Sequence, residues 1–221
     1  MDGSRPIRLG IVGLGLIAQS AHLPNLRAMP DRFEIVGVCD LSRDLAERVA
    51  AGIEPHPRVA ADPQALFADP SIDAVQLCTA GAHDRLARAA LSEGKHVFAE
   101  KPYSYDPVRA ERDAMDARNR GLVLQVGYMK MYEPAIARAR AAMEKIGRIR
   151  LVRISVLHPS DEHQTSHLKL LRPREDVTEK LAEVRAAGAA EVRAALDANC
   201  PEADPVLFRN VLHGSVCHEF S

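Results

Sequence analysis

From Ile7 to about Val126, short apolar runs alternate with Ala-, Arg- and Glu-rich stretches of helical character. No other feature constrains the fold as much, because this alternation marks parallel βαβ units. Strands are expected over residues 7–13, 34–40, 58–60, 74–79, 96–99 and 122–126. Most are almost continuously apolar, as strands covered by helices on both faces require. A doubly wound α/β domain with a parallel sheet over residues 1–127 follows.

The intervening stretches carry helix punctuation. Asp40 and Ser42 are suited to cap a helix over 43–51, and Gly94 closes one over 83–93. Pro24 has no amide proton to give, so a helix over 18–29 should kink or restart there. After Tyr128 the pattern changes. Residues 148–157 alternate as a strand, and 174–199 read as charged helix with a break at Gly188. Val177, Leu181, Val184, Val192 and Leu196 recur at three or four residues, which gives each half a modest buried stripe on a packed surface helix pair. One strand makes no stable sheet. Residues 128–221 are therefore expected to form an incomplete second domain, and the chain to be a fragment of a longer protein.

The charges nearly cancel, 29 Lys+Arg against 30 Asp+Glu, with no long basic block. That argues against electrostatic capture of nucleic acid or of an acidic membrane and points to small-molecule partners. Cys39, Cys78, Cys200 and Cys217 show no C-x-x-C spacing, which fits a reduced, cytoplasmic setting. Residues 1–5 lack a basic region followed by an apolar stretch, and no apolar run nears the roughly 18 residues of a membrane span. A soluble, unexported protein is expected.

Gly13-Leu14-Gly15-Leu16-Ile17-Ala18 follows the first strand and opens a helix. In that setting G-x-G-x-x-A is a dinucleotide site: Gly13 makes the tight turn, Gly15 admits the pyrophosphate, and Ala18 keeps helix and strand close. The free amides of Leu16 and Ile17 meet the phosphate charge. Asp40 ends the second strand 22 residues beyond Ala18, where a carboxylate bonds ribose hydroxyls and favours NAD. Ser42 and Arg43 could instead receive a 2′-phosphate, leaving NADP open, and Asp40 could simply cap the next helix. Thr79, Ala80 and His83 follow the fourth strand and are candidate cofactor contacts, with a solvated first-turn histidine as the plainer reading of His83. The fifth strand delivers Glu100, Lys101 and Pro102 to the same sheet edge, and Lys101 is the candidate for the chemistry.

The succession of that glycine turn, Thr79-Ala80-Gly81-Ala82-His83, the run from Gly94 to Glu100-Lys101-Pro102, and Val126-Gly127-Tyr128-Met129 resembles the Gfo/Idh/MocA family (glucose-fructose oxidoreductase, inositol dehydrogenase) over about the first 135 residues. The resemblance implies an N-terminal Rossmann domain and a C-terminal α/β domain on a mostly antiparallel sheet. It also implies NAD(P)-dependent oxidation or reduction of a sugar, cyclitol or related molecule, and a homo-oligomer formed through that second sheet. Lys101 then matches the lysine beside the substrate hydroxyl, and Glu100 its neighbour near the cofactor. A lysine beside oxidised nicotinamide has its own charge disfavoured, which suits it to proton transfer. Pro102 would hold Lys101 through a peptide bond whose isomer the sequence leaves open.

Two departures stand out. The family's Asp-x-x-x-His has its counterpart in Gly214-Ser215-Val216-Cys217-His218, so His218 is kept as a proton-transfer group and the aspartate is absent, with His213 and Glu219 off the expected position. Met131 stands where an arginine is common, next to Lys130 and Tyr132. A metal site among His158, His163 and His167 is disfavoured by proline and small polar neighbours, and no metal is expected. Besides an enzyme, the sequence allows an NAD(P)-binding sensor without turnover, or an inactive fragment.

Overall fold

The computed structural model of the protein describes residues 5–151, 153, 165–174 and 177–199. Six strands, β1 (Ile7–Val12), β2 (Phe33–Cys39), β3 (Arg58–Val59), β4 (Ala74–Leu77), β5 (His96–Ala99) and β6 (Leu124–Val126), form one sheet in the order β3-β2-β1-β4-β5-β6. Every pairing is parallel. The direction of winding reverses between β1 and β4, which opens a crevice at their carboxyl ends.

Helices pack on both faces, one of which stays open over β4–β6 where Gln76, Phe98 and Gln125 line a groove. A π-helical turn (Ala18–His22) runs into α1 (Leu23–Arg27), and with α2 (Arg43–Ala50) it buries Leu23, Leu26, Leu45 and Val49 against Leu9, Ile11, Ile35 and Val38. On the other face α3 (Pro63–Phe67), α4 (Asp84–Ser92) and α5 (Pro107–Asn119) bury Leu66, Phe67, Ala87, Leu91 and Ala117 against Val12, Val75, Leu77 and Val97. Two glycines set how closely α3 approaches. Gly10 and Gly37 are register partners in β1 and β2, and a Cβ on Gly10 would overlap Leu66 Cδ2 at 2.3 Å.

All six expected strands are present, and most end one or two residues early. The next residue still makes one ladder bond before the chain turns: Gly13 N–H to the Cys39 carbonyl, Ala60 to Val38, Cys78 to Val12 and Glu100 to Leu77, each at 2.8 Å. β6 starts late because the Leu122 amide donates to Ala117 and the Val123 amide to His96 Nδ1. The first helix does not restart at Pro24: the backbone stays helical over residues 16–27, with His22 and Leu23 both in the right-handed helical region, and what changes ahead of the proline is the helix type, from the π-helical turn to α1. Ser42 Oγ caps α2 by accepting from the Leu45 amide, and Gly94 (φ +73°) closes α4.

Past β6 the described residues form a 3-10 turn (Met129–Tyr132), α6 (Pro134–Met143) and α7 (Thr178–Asn199). The break expected at Gly188 is absent: α7 passes straight through, because a single glycine costs a helix only about 1 kcal/mol among good helix formers. Of its expected stripe Val192 is buried, while Val184 is 38% exposed. The strand expected over 148–157 is not found in residues 148–151 and 153, and the rest of that range lies outside the described residues. Among the described residues no helix is long and apolar enough to cross a membrane.

Candidate functional site

The carboxyl edge of the sheet gathers the glycine turn after β1, Asp40 after β2, the loop after β4 and the turn after β5. Gly13 has φ +88°, and a Cβ on it would stand 2.8 Å from the carbonyl carbon of Cys78, so both conformation and space demand glycine. Gly15 differs. A Cβ there would meet no protein atom within 4 Å, so the open space above it is not filled by packing. The helix then starts at Leu16, which is 45% exposed, with Ile17 half-buried. A glycine without a packing reason, set before the amide end of a helix, leaves the backbone open to a close approach by an anion such as a phosphate.

Asp40 ties this turn to α2. Its Oδ2 accepts from the Leu14 amide at 2.7 Å and its Oδ1 from the Ser42 amide at 2.9 Å. Each oxygen retains a second lone pair for a ribose hydroxyl. Ser42 is fully buried and its hydroxyl oxygen is the α2 cap, so the expected phosphate contact from its side chain is not presented to a ligand. Arg43 is exposed and pairs with Glu47 one turn on.

The loop after β4 is locked to the turn after β5 by His83. Its Nδ1 lies 2.8 Å from the Pro102 carbonyl and its Nε2 3.0 Å from the Thr79 carbonyl, while its amide and that of Asp84 donate to Tyr103. The ring is completely enclosed, so direct cofactor contact and solvation are both ruled out for it. Thr79 and Ala80 stay at the open edge. Burial pulls the His83 pKa below its ordinary value, outweighing the two carbonyls and the charges of Glu100 and Asp84. In the neutral ring one nitrogen donates and the other faces a carbonyl oxygen.

Glu100 is buried at 6% exposure, and Lys101, partly exposed, follows it into a cis Lys101–Pro102 bond. Glu100 Oε1 lies 2.7 Å from His22 Nε2, and Oε2 accepts from the Lys101 amide at 3.2 Å. Burial alone would raise the Glu100 pKa. The bond and charge of His22 and the amide and charge of Lys101 outweigh it and hold the carboxyl below its usual range. Tyr103, the residue after Pro102, donates to Asp113 at 2.9 Å and anchors the turn to α5.

His22 was not singled out from the sequence. A lone histidine one helical turn past Ala18 carries no pattern, and its partner is 78 residues away. The strap after the undescribed 154–164 is a second addition: the Gln19 side-chain amide pairs both ways with the Leu171 backbone, and Arg48 donates to the Arg172 carbonyl. His218, Gly214, His213, Glu219, His158 and His163 lie outside the described residues. Met131 and Tyr132 are exposed, with the Tyr132 hydroxyl accepting from Gln125. Among the described residues no cluster of His, Cys, Asp or Glu forms a metal site.

The family model described as oxidoreductase family, NAD-binding Rossmann fold, matches residues 7–128, the whole sheet and its carboxyl edge. The chain belongs to the Gfo/Idh/MocA oxidoreductase family. Among curated members, inositol 2-dehydrogenase of Cereibacter sphaeroides is 34% identical over 148 residues, 66% of this chain and 42% of that protein. Myo-inositol 2-dehydrogenase of Thermotoga maritima is 28% identical over 70% of this chain and 46% of its own length. Among solved structures of similar fold is KijD10, a 3-ketoreductase from Actinomadura kijaniata in complex with TDP-benzene and NADP. It has a TM-score of 0.57 and 32% identity, over 64% of this chain and 44% of its own. The chain therefore spans about half the length of the family members it matches.

Proposed function

We propose that this protein is the cofactor-binding part of an NAD(P)-dependent oxidoreductase that moves hydride between nicotinamide and a hydroxyl or carbonyl carbon of a sugar, cyclitol or related molecule. What carries the reading is that the Gly15 cradle, the Asp40 carboxylate and the Glu100–Lys101 turn share one sheet edge at the reversal between β1 and β4. Bound dinucleotide supplies the hydride acceptor or donor; the chain's residues hold it and manage the proton. The helix start after Gly15 takes the pyrophosphate, and Asp40 takes the adenosine ribose. That use of Asp40, with Ser42 enclosed, favours NAD slightly over NADP.

Lys101 polarises the substrate hydroxyl or accepts its proton, with Glu100 as its neighbour on the turn. His218, one candidate turn beyond Gly214, is the second proton group in this reading. The longer protein would hold its substrate between residues 1–127 and the domain begun at 128–221, form a homo-oligomer through the second sheet, and work in the cytoplasm. The names of the inositol dehydrogenases and of the NADP-bound ketoreductase support the substrate class and the cofactor.

NADH and NADPH fluorescence titrations test the cofactor; the chain has no tryptophan to interfere. A screen of inositols and sugars with the full-length product tests the substrate. Lys101→Ala should abolish turnover and keep NADH binding; normal turnover in that variant would end the assignment. Gly214 in place of the family aspartate favours a second reading, a nucleotide-binding sensor, for which tight NADH binding with no turnover across the screen is the signature.

A further inference from the structure

The head of α4 is capped from outside its own segment. No side chain caps it; instead the His83 and Asp84 amides donate to the Tyr103 carbonyl at 2.8 and 2.9 Å. Asp84 Oδ2 also accepts from Ser104 Oγ at 3.0 Å. The turn after β5 therefore supplies the acceptors that a helix start lacks. The His83 ring completes the joint, because it stands between the Pro102 carbonyl, 2.8 Å from Nδ1, and the Thr79 carbonyl, 3.0 Å from Nε2. In the neutral ring that burial favours, one of these is a hydrogen bond and the other a contact. The ring is thus the spacer between the loops that follow β4 and β5. Between Thr79 and His83 the first loop turns at Gly81 (φ +81°), where an added Cβ would meet no protein atom within 4 Å, so this loop borders open space.

The strand order gives this spacer a functional address. With the adenosine ribose at Asp40 after β2 and the pyrophosphate at Gly15 after β1, the next strands along are β4 and β5, and the second nucleoside falls to the loops that follow them. We propose that His83 is a positioning residue for the nicotinamide end of the cofactor: by holding the Thr79 and Pro102 carbonyls a ring's width apart, it fixes the slot between the Thr79–Ala80 loop and the Lys101 turn. The proposal rests on the dinucleotide reading above. The ring itself is fully enclosed, so it acts through the two loops and not by contact with the ligand.

ADP-ribose carries the adenosine and pyrophosphate of NADH without the nicotinamide, so the ratio of the two affinities isolates the slot. In His83→Asn the side-chain amide nitrogen takes the place of Nδ1, toward Pro102; in His83→Gln it takes the place of Nε2, toward Thr79. Each variant reaches one carbonyl and lets go of the other. In calorimetric titrations of the full chain, NADH affinity should fall about tenfold or more in both variants while ADP-ribose affinity stays within about twofold of wild type. Equal losses on the two ligands, or no loss on NADH, in a variant that urea unfolding shows to be folded overturns the proposal. A second measurement needs the wild type alone. With ¹⁵N-labelled histidine, NADH should shift the ring signals of His83, identified by the slow solvent exchange of its enclosed N–H, and ADP-ribose should leave them in place. Signals that move equally with both ligands, or with neither, overturn the proposal as well. Wild-type protein that binds neither ligand ends the dinucleotide reading and the proposal with it, whereas NADH binding that ignores the His83 variants ends the proposal and leaves that reading standing.

Discussion

The carbonyl of Cys78 occupies the space where a side chain on Gly13 would begin, 2.8 Å from an ideal Cβ. The end of β4 therefore closes against the turn after β1, and the two sides of the crevice share one contact.

Gly13→Ala must relieve that overlap and also take φ +88°, so it should destabilise the domain by about 2–4 kcal/mol. Gly15→Ala meets no protein atom and should change stability by less than about 1 kcal/mol. Its effect should appear in NADH affinity, as a loss of about tenfold or more. Urea unfolding and NADH titration of the two variants separate packing from ligand space.

His83 gives a pH signature. Its folded pKa lies below the ordinary 6.5, so between those two values the unfolded chain binds the extra proton. Stability is then full above about 6.5 and falls as pH drops toward the folded value, with a slope of at most about 1.4 kcal/mol per pH unit. Urea midpoints between pH 7.5 and 5 should show this fall in the wild type and lack that component in His83→Gln.

Tyr103→Phe removes the hydroxyl that donates to the buried Asp113 and leaves Arg88 as its side-chain partner. A loss of about 1–2 kcal/mol is expected in thermal or urea unfolding. Because Tyr103 also accepts from the His83 and Asp84 amides through its carbonyl, the backbone of the turn should persist, and NADH binding should change little.

Burial raises the thiols of Cys39 and Cys78, to about 11 and about 12, with the charges of Asp40 and Glu100 adding to it. In a Cys200→Ser/Cys217→Ser background, a thiol reagent at pH 8 should leave the native protein unmodified and titrate two thiols once urea is added. Prompt reaction of the native protein would show that the carboxyl edge opens on the reagent's timescale.

Much of this domain was readable along the chain because its signals are local. The span 96–99 was expected with the same limits the structure shows, since Gly94 stops the helix before it and Glu100 begins the turn after it. Ser42 marked a helix start through a property of one residue, a capping oxygen. Gly188 misled because a glycine signals a break only where its neighbours also disfavour helix, and here alanines surround it.

The site was legible in part. The spacing of Gly13, Gly15 and Asp40 and the order Glu100-Lys101-Pro102 are short-range patterns, and by themselves they determined that a glycine turn, a carboxylate and a lysine lie at the carboxyl ends of strands. What sequence could not assign was how side chains are used once strands 20 to 80 residues apart come together. The enclosure of His83 against the Pro102 carbonyl and the capture of Glu100 by His22 were decided only by the tertiary structure. The physical reason is common to both: a side chain's hydrogen-bonding partners and burial depend on packing between elements, and local sequence carries no record of which element becomes the neighbour.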